Sequence, residues 1–206
     1  SSISLVAVSK TKPIDDLKEA YSAGQRIFGE NKVQELREKH PALPKDIEWH
    51  MIGHMQSNKV KHIAPFVSLI HGGESFKLMG EINKQALKNN RTIQVLLQFH
   101  IASETTKFGL EIDEANKILN SAEFNNLKNI EITGVMGMAS FVKDKTQIRN
   151  EFSQLKTIFS QLKNSIFKNQ DSFNTISMGM SGDYSIAIEE GSTMIRVGSS
   201  IFGVRN

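Results

Sequence analysis

Short apolar runs alternate with longer amphipathic segments from one end of this chain to the other, and no other feature restricts its fold as strongly. The runs cover residues 3–8, 26–29, 48–53, 67–70, 93–101, 131–138, 173–178 and 194–197, and each reads as a strand. Between them, helical periodicity covers 14–23, 32–39, 58–63, 76–89, 112–122, 145–167 and 184–190. A helix between two strands returns the chain to the end where the last strand began, so the pairing must be parallel. Eight such strands predict closure into a single (β/α)8 TIM-type barrel over residues 1–206, an α/β fold near the small end of its class. The four prolines and the lack of low-complexity sequence leave no linker to divide the chain. The competing architecture, an open doubly wound sheet, carries its nucleotide site in a glycine-rich turn after the first strand. Here that turn reads Ser9-Lys10-Thr11-Lys12-Pro13, and no G-x-x-x-x-G-K-[ST] occurs elsewhere.

Composition removes several function classes. Without cysteine there are no disulfides, zinc fingers or thiolate nucleophiles. The 25 basic and 22 acidic residues are scattered, which argues against nucleic acid, although a few uncompensated cations in a cleft would still attract phosphate. His50 and His54 straddle Gly53 on a strand and so do not share a helix face as metal-binding H-E-x-x-H histidines do, and no G-x-S-x-G elbow is present. The first apolar run is too short for a signal-peptide core, and none approaches the roughly 18 residues of a membrane span. The expectation is a cytoplasmic monomer with no membrane partner; because the first residue is Ser, an initiator is expected to have been removed.

In such a barrel the site lies at the C-terminal ends of the strands. The residues found there are polar: Lys10, Glu30 and Asn31, His54, Gly72 to Glu74, Ser103, Ser140, Ser181 with Asp183, and Arg196 with Gly198 and Ser199. Lys10 follows Val6 and Val8 at a two-residue spacing, so if those fill the barrel its amine points over the mouth. A desolvated lysine there can attack a carbonyl and form a Schiff base, the covalent attachment of pyridoxal phosphate. Lys12 is the neighbouring alternative, and a solvated strand-end lysine is the plain reading. Arg196 shares an inward face with Met194 and needs an anionic or hydrogen-bonding partner, either Glu189 or Glu190 or a ligand. Gly198 and Ser199 open a turn whose backbone N–H groups suit a phosphate, with Ser177, Ser181 and Gly182 on the strand-seven side. The stretch Val135-Met136-Gly137-Met138-Ala139-Ser140 echoes Ile176-Ser177-Met178-Gly179-Met180-Ser181, as alternating methionines filling barrel layers would.

The stretches Leu5-Val6-Ala7-Val8-Ser9-Lys10-Thr11-Lys12-Pro13, Phe28-Gly29-Glu30-Asn31, Trp49-His50-Met51-Ile52-Gly53-His54-Met55-Gln56-Ser57-Asn58-Lys59 and Ser177-Met178-Gly179-Met180-Ser181-Gly182-Asp183 resemble the YggS/PROSC family, as does the ending Gly191-Ser192-Thr193-Met194-Ile195-Arg196-Val197-Gly198. The resemblance runs from about Leu5 to Arg205. It implies a barrel similar to the N-terminal domain of alanine racemase that binds pyridoxal 5'-phosphate and takes part in vitamin B6 homeostasis, with apo-enzymes that use the cofactor as recipients. Carried over, Lys10 is the Schiff-base lysine and Arg196 faces the pyridine nitrogen. Ser181, Gly198 and Ser199 hold the phosphate, and Asn31 and Ser177 line the pocket. An arginine that keeps its proton leaves the ring nitrogen neutral and the ring a poorer electron sink, which suits a carrier better than a transaminase. Two departures stand out: no helix precedes Ile3, and His71-Gly72-Gly73-Glu74-Ser75 replaces the commoner His-Ser-Val-Asp-Ser. The competing reading is an amino-acid racemase, which needs a second acid or base opposite the cofactor, and the only tyrosines are Tyr21 and Tyr184.

Overall fold

The computed structural model describes residues 2–103 and 108–203. Arg205, where the resemblance ends, lies outside the described residues, as do the first residue, 104–107 and 204–206 of the expected 1–206 domain. Eight parallel strands form a closed barrel in sequence order. They are β1 Ser4–Val8, β2 Ile27–Glu30, β3 Glu48–Met51, β4 Leu69–Gly73, β5 Ile93–Gln98, β6 Ile130–Met136, β7 Thr175–Ser177 and β8 Met194–Val197. The helices are α1 Ile14–Ser22, α2 Val33–Lys39, α3 Phe76–Lys88, α4 Ile112–Leu119, α5 Lys145–Asn164, α6 Tyr184–Glu189 and α7 Ser199–Phe202. Closure comes from β1 pairing with β8, in a register that sets Val6 opposite Arg196.

The two-residue period sorts the side chains. Val6, Ile52, Leu69, Leu96, Met136 and Met194 form a small cluster inside the barrel, joined by Val8, Ile27 and Met138. Their alternates, among them Ala7, Phe28, Trp49, Ile70, Val95 and Val135, belong to the larger outer layer under the helices. Burying a Leu or Phe there stabilises by roughly 1.5–3 kcal/mol each, so the outer layer carries most of the fold's hydrophobic energy. Two of the helix starts are capped by side chains: at α3 Ser75 Oγ accepts the Leu78 N–H, and at α5 Asp144 accepts those of Thr146 and Gln147.

Four local differences from the sequence expectation have physical causes. The segment expected as a helix over 58–63 is a 3₁₀ turn, Ser57–His62, in which only Val60 is buried, too small an apolar face to hold an α-helical turn. Helix α5 stops at Asn164 because Ser165 Oγ bonds back to the Gln161 carbonyl while Phe167 folds over to stack on Phe173. Strand β4 runs on to Gly73 rather than ending at Ile70, through an irregular register against β5, and this turns His71 into the barrel. Helix α7, one turn after β8, has no apolar periodicity to betray it. Among the described residues no helix is long and apolar enough to cross a membrane, and no cluster of histidine, aspartate and glutamate suits a metal ion.

Candidate functional site

A cavity of about 840 Å³ opens at the C-terminal ends of the strands. Lys10, Asn31, Ser181, Arg196, Gly198 and Ser199 all line it, over an apolar floor of Val8, Ile52, Met138 and Met180. Of the seven residues expected to hold the cofactor, the cavity brings together all except Ser177, which lies behind the wall and reaches it through Arg196; of the other strand-end residues, His54, Gly182 and Asp183 line it, whereas Glu30, Gly72 to Glu74, Ser103 and Ser140 do not.

The backbone on either side of Lys10 is clamped. Ser9 Oγ donates to Glu30 Oε1 at 2.6 Å, and the Ser9 carbonyl accepts from Lys39 Nζ at 2.8 Å. Lys39 also pairs with Glu30 at 2.7 Å and with the half-buried Glu35 at 3.1 Å, at the joint of β1, β2 and α2. Burial pushes the Glu30 carboxyl above its ordinary value, against the pull of Lys39 and Ser9, and its second oxygen is buried without a partner. On the other side, Thr11 sits at φ 64°, a left-handed conformation that a β-branched residue adopts only under constraint. The Glu35 carboxylate supplies the constraint by accepting the Thr11 N–H at 2.6 Å. Lys12, the sequence alternative to Lys10, donates instead to the Phe202 carbonyl at 2.7 Å and does not line the cavity.

Arg196 is buried in the barrel, with no carboxylate at salt-bridge distance among the described residues. The alternative pairing with Glu189 or Glu190 is corrected: both carboxylates are taken by Arg149, on the outer side of α6. Burial lowers the Arg196 guanidinium to about 10, with Asp183 acting against the shift, so it stays charged at neutral pH. It donates to Ser177 Oγ at 2.6 Å and to the Gly137 carbonyl at 3.2 Å.

Those bonds fix the proton positions through the barrel interior. Ser177 Oγ accepts from the guanidinium, and His71 Nδ1, 3.1 Å away, is its only other partner among the described residues, so donating there is the arrangement that leaves no buried hydroxyl hydrogen without an acceptor. His71 therefore carries its proton on Nε2 and donates to His50 Nδ1 at 3.1 Å. Both imidazoles are neutral: burial drives His50 down to about 3, and burial, then His50 and Arg196, holds His71 well below its ordinary value. The sequence offers no signal for this relay, because His71 reads as an isolated histidine past the end of its strand and His50 is matched in sequence with His54 instead.

The far side of the cavity is a set of donors. Gly198 N–H points at Ser181 Oγ at 3.2 Å, and Arg196 N–H binds the Gly179 carbonyl at 2.9 Å, tying the turn after β7 to β8. Gly179 adopts φ 98°, and a Cβ there would lie 2.7 Å from that of Ala187, so the turn requires glycine. The backbone N–H groups of Ser181, Gly182, Ser199 and Ser200, all residues of the cavity wall, find no acceptor among the described residues. The wall's carboxylate, Asp183, accepts the Met180 N–H at 2.6 Å. Such an array suits an anion with several acceptor oxygens.

Four further residues shape the rim. His54 pairs with Glu74 at 2.6 Å and stacks on Phe108 at 4.2 Å, and Gln98 donates to the Phe108 carbonyl at 3.0 Å. Position after a strand end was the available signal for His54 and Glu74; Phe108 had none. Neither tyrosine lines the cavity: the Tyr21 hydroxyl donates to Asp46 on the barrel's flank, and Tyr184 begins α6.

A family model described as the N-terminal domain of alanine racemase matches residues 2–206. The chain is 36% identical over 207 residues to the pyridoxal phosphate homeostasis protein of Aquifex aeolicus, covering 98% of this chain and 86% of that one. It is 39% identical over 214 residues to the human protein of the same description, covering 98% and 76%. PipY of Synechococcus elongatus, solved with pyridoxal phosphate bound, matches with a TM-score of 0.87 at 33% identity, over 98% of this chain and 92% of that chain.

Proposed function

Because this chain belongs to the alanine racemase N-terminal domain family and, within it, to the pyridoxal phosphate homeostasis proteins, we propose that it holds pyridoxal 5'-phosphate in the barrel-mouth cavity as a Schiff base on Lys10. It acts as a monomeric, single-domain carrier in the cytoplasm, supplying the cofactor to apo-enzymes without turning over a substrate of its own. The observation that carries this reading is that Lys10 and Arg196 share one cavity with the unpartnered N–H groups at Ser181, Gly182, Ser199 and Ser200.

Bound pyridoxal phosphate supplies an aldehyde that takes up an amine and a ring that accepts electrons. The residues of this chain divide the work of holding it. Lys10, held by the Ser9 clamp, gives the amine. Ser181, Gly198 and Ser199 take the phosphate. Asn31 lines the side, and Ser177 contributes by orienting Arg196 toward the ring nitrogen. With its pKa at about 10, Arg196 donates a hydrogen bond at neutral pH but keeps its proton, so the ring nitrogen is not protonated. No tyrosine reaches the cavity to serve as a second acid or base, which favours holding over racemisation.

The test is borohydride reduction of the protein mixed with pyridoxal phosphate, followed by peptide mass spectrometry. A pyridoxyl mass on the Lys10 peptide, lost in Lys10→Ala, is expected; a label on Lys12 in the wild type, or no label, overturns the assignment. Chiral chromatography of amino acids incubated with the protein addresses the racemase reading, and turnover abolished by Lys10→Ala would replace the carrier with an enzyme.

A further inference from the structure

A second pocket, of about 380 Å³, lies beside the first, between α2 and the 3₁₀ turn Ser57–His62. Its charged lining is cationic: Lys32 and Arg37 from the α2 side, and Lys59 from the turn, with His62 beside them. Among the described residues no carboxylate lines it. Among the described residues Lys32, Arg37 and Lys59 have no partner at salt-bridge distance. The carboxylates of α2 are engaged elsewhere, Glu35 with Lys39 and the Thr11 N–H, and Glu38 with Gln34. In a chain with 22 acidic residues, three cations left together without one is a choice of partner.

The geometry adds two constraints. The floor is apolar, formed by the buried Met51 and Met55, so the pocket accepts more than a hydrated ion. Asn31 and His54 line both this pocket and the cofactor cavity, so the two are adjoining compartments at one mouth. The cations also act on a common point: after burial, Arg37, Lys61 and Lys59 together hold the His62 imidazole below its ordinary value. A concave site of this size suits a small molecule rather than a flat protein surface.

We infer that this pocket is a separate anion site that binds a small phosphate monoester at the doorway of the cofactor cavity. The choice of a phosphate monoester among dianions rests on the function proposed above; the cationic pocket itself does not. Exposed cations are screened by salt, so the site is expected to be weaker than the cavity and sensitive to ionic strength.

The experiment uses protein already loaded with pyridoxal phosphate and reduced, so that the cavity is covalently filled. Calorimetric titration with pyridoxine 5'-phosphate, which has no aldehyde to react with lysines, should find one further equivalent that weakens as salt is raised. Arg37→Ala combined with Lys59→Ala should weaken it by about tenfold or more, as losing two exposed ion pairs implies, and Lys59→Glu should abolish it. Tighter binding of the vitamin ester than of inorganic phosphate assigns the site to the ester; equal affinity assigns it to free phosphate, and the anion site stands in either case. No further equivalent, or one indifferent to Arg37 and Lys59, overturns the inference. So does a pocket that ignores both probes and binds polyglutamate, which would make it a macromolecular surface. If Lys10 never labels, the function proposed above falls, while the same titration on unlabelled protein still decides this site through its dependence on Arg37 and Lys59.

Discussion

Replacing Ser177 with alanine removes one oxygen and breaks two links. Arg196 loses the acceptor 2.6 Å from its Nη1, and His71 Nδ1 loses its donor at 3.1 Å. Arg196 keeps only the longer bond to the Gly137 carbonyl, and neither group can turn to water, since Arg196 is 4% exposed and His71 fully buried. An orphaned buried polar group costs about 1–3 kcal/mol, more when charged, so the two together should cost about 2–5 kcal/mol. The cavity left by one hydroxyl adds little. For a chain of this length each kcal/mol moves the melting temperature by roughly 2–4 °C, so Ser177→Ala should melt roughly 5–15 °C lower. His71→Leu breaks the same link from the other side, so the double variant should cost less than the sum of the single ones. Thermal unfolding of the four proteins of this cycle is the assay. Strict additivity, or a Ser177→Ala protein melting within about 2 °C of wild type, would refute the relay as drawn.

Other expectations follow from the same geometry. Lys39→Met leaves the Glu30 carboxylate buried without its cation and should cost about 3–5 kcal/mol at neutral pH in urea unfolding. The folded-state pKa of Glu30 is already raised, so protonation favours the native state; the variant should regain stability as pH falls through that value, and a constant deficit would contradict it. Thr11→Gly relieves the φ of 64° and should gain up to about 1 kcal/mol in melting experiments; a loss would mean the turn is unstrained. Glu151 is lowered overall: burial raises its pKa, but bonds from Ser140, Gln147 and Ser103 outweigh this. It therefore stabilises the native state above the ordinary carboxylate value and loses that contribution as pH falls through the lowered one. Glu151→Gln should flatten the acid limb of the stability curve, and an unchanged limb would count against those bonds.

The sequence is most legible where one local rule acts alone. Strand β8, Met194–Val197, is read to the residue because a short apolar run between polar turns has no competing periodicity, and the alternation that puts Arg196 inward holds. Six of the seven residues expected at the site share one cavity because strand ends in a parallel barrel all open on the same face. What stayed hidden depends on contacts between distant segments. Nothing in the local pattern of the helical segment 32–39 marks Lys39, which is buried because Glu30 and the Ser9 carbonyl lie under it. His71 turns inward only because β4 continues past Ile70 through an irregular register that no run of apolar residues announces. Ser177 reads as pocket lining because its neighbours are, but a hydroxyl is too short to pass the arginine in front of it.

The two groups proposed to grip the cofactor, carried by neighbouring strands, also say when the site comes into being. Lys10 extends β1 and Arg196 belongs to β8, the first and last strands, and they share a cavity only once Val6 pairs with Arg196 and the barrel closes. The bond from Lys12 to the Phe202 carbonyl fastens the same seam from above. That seam is the contact of greatest sequence separation in the fold, so its loop-closure entropy opposes it more than any other strand pair. A ligand that binds only the closed form stabilises that form by RT ln(1 + [L]/Kd), about 2.7 kcal/mol at a hundredfold excess over Kd. Cofactor bound across the seam should therefore slow hydrogen exchange most at β1 and β8 and least at β4 and β5, which lie away from the seam and are already joined through α3. Protection spread evenly around the barrel would mean that the ligand does not bridge the first and last strands.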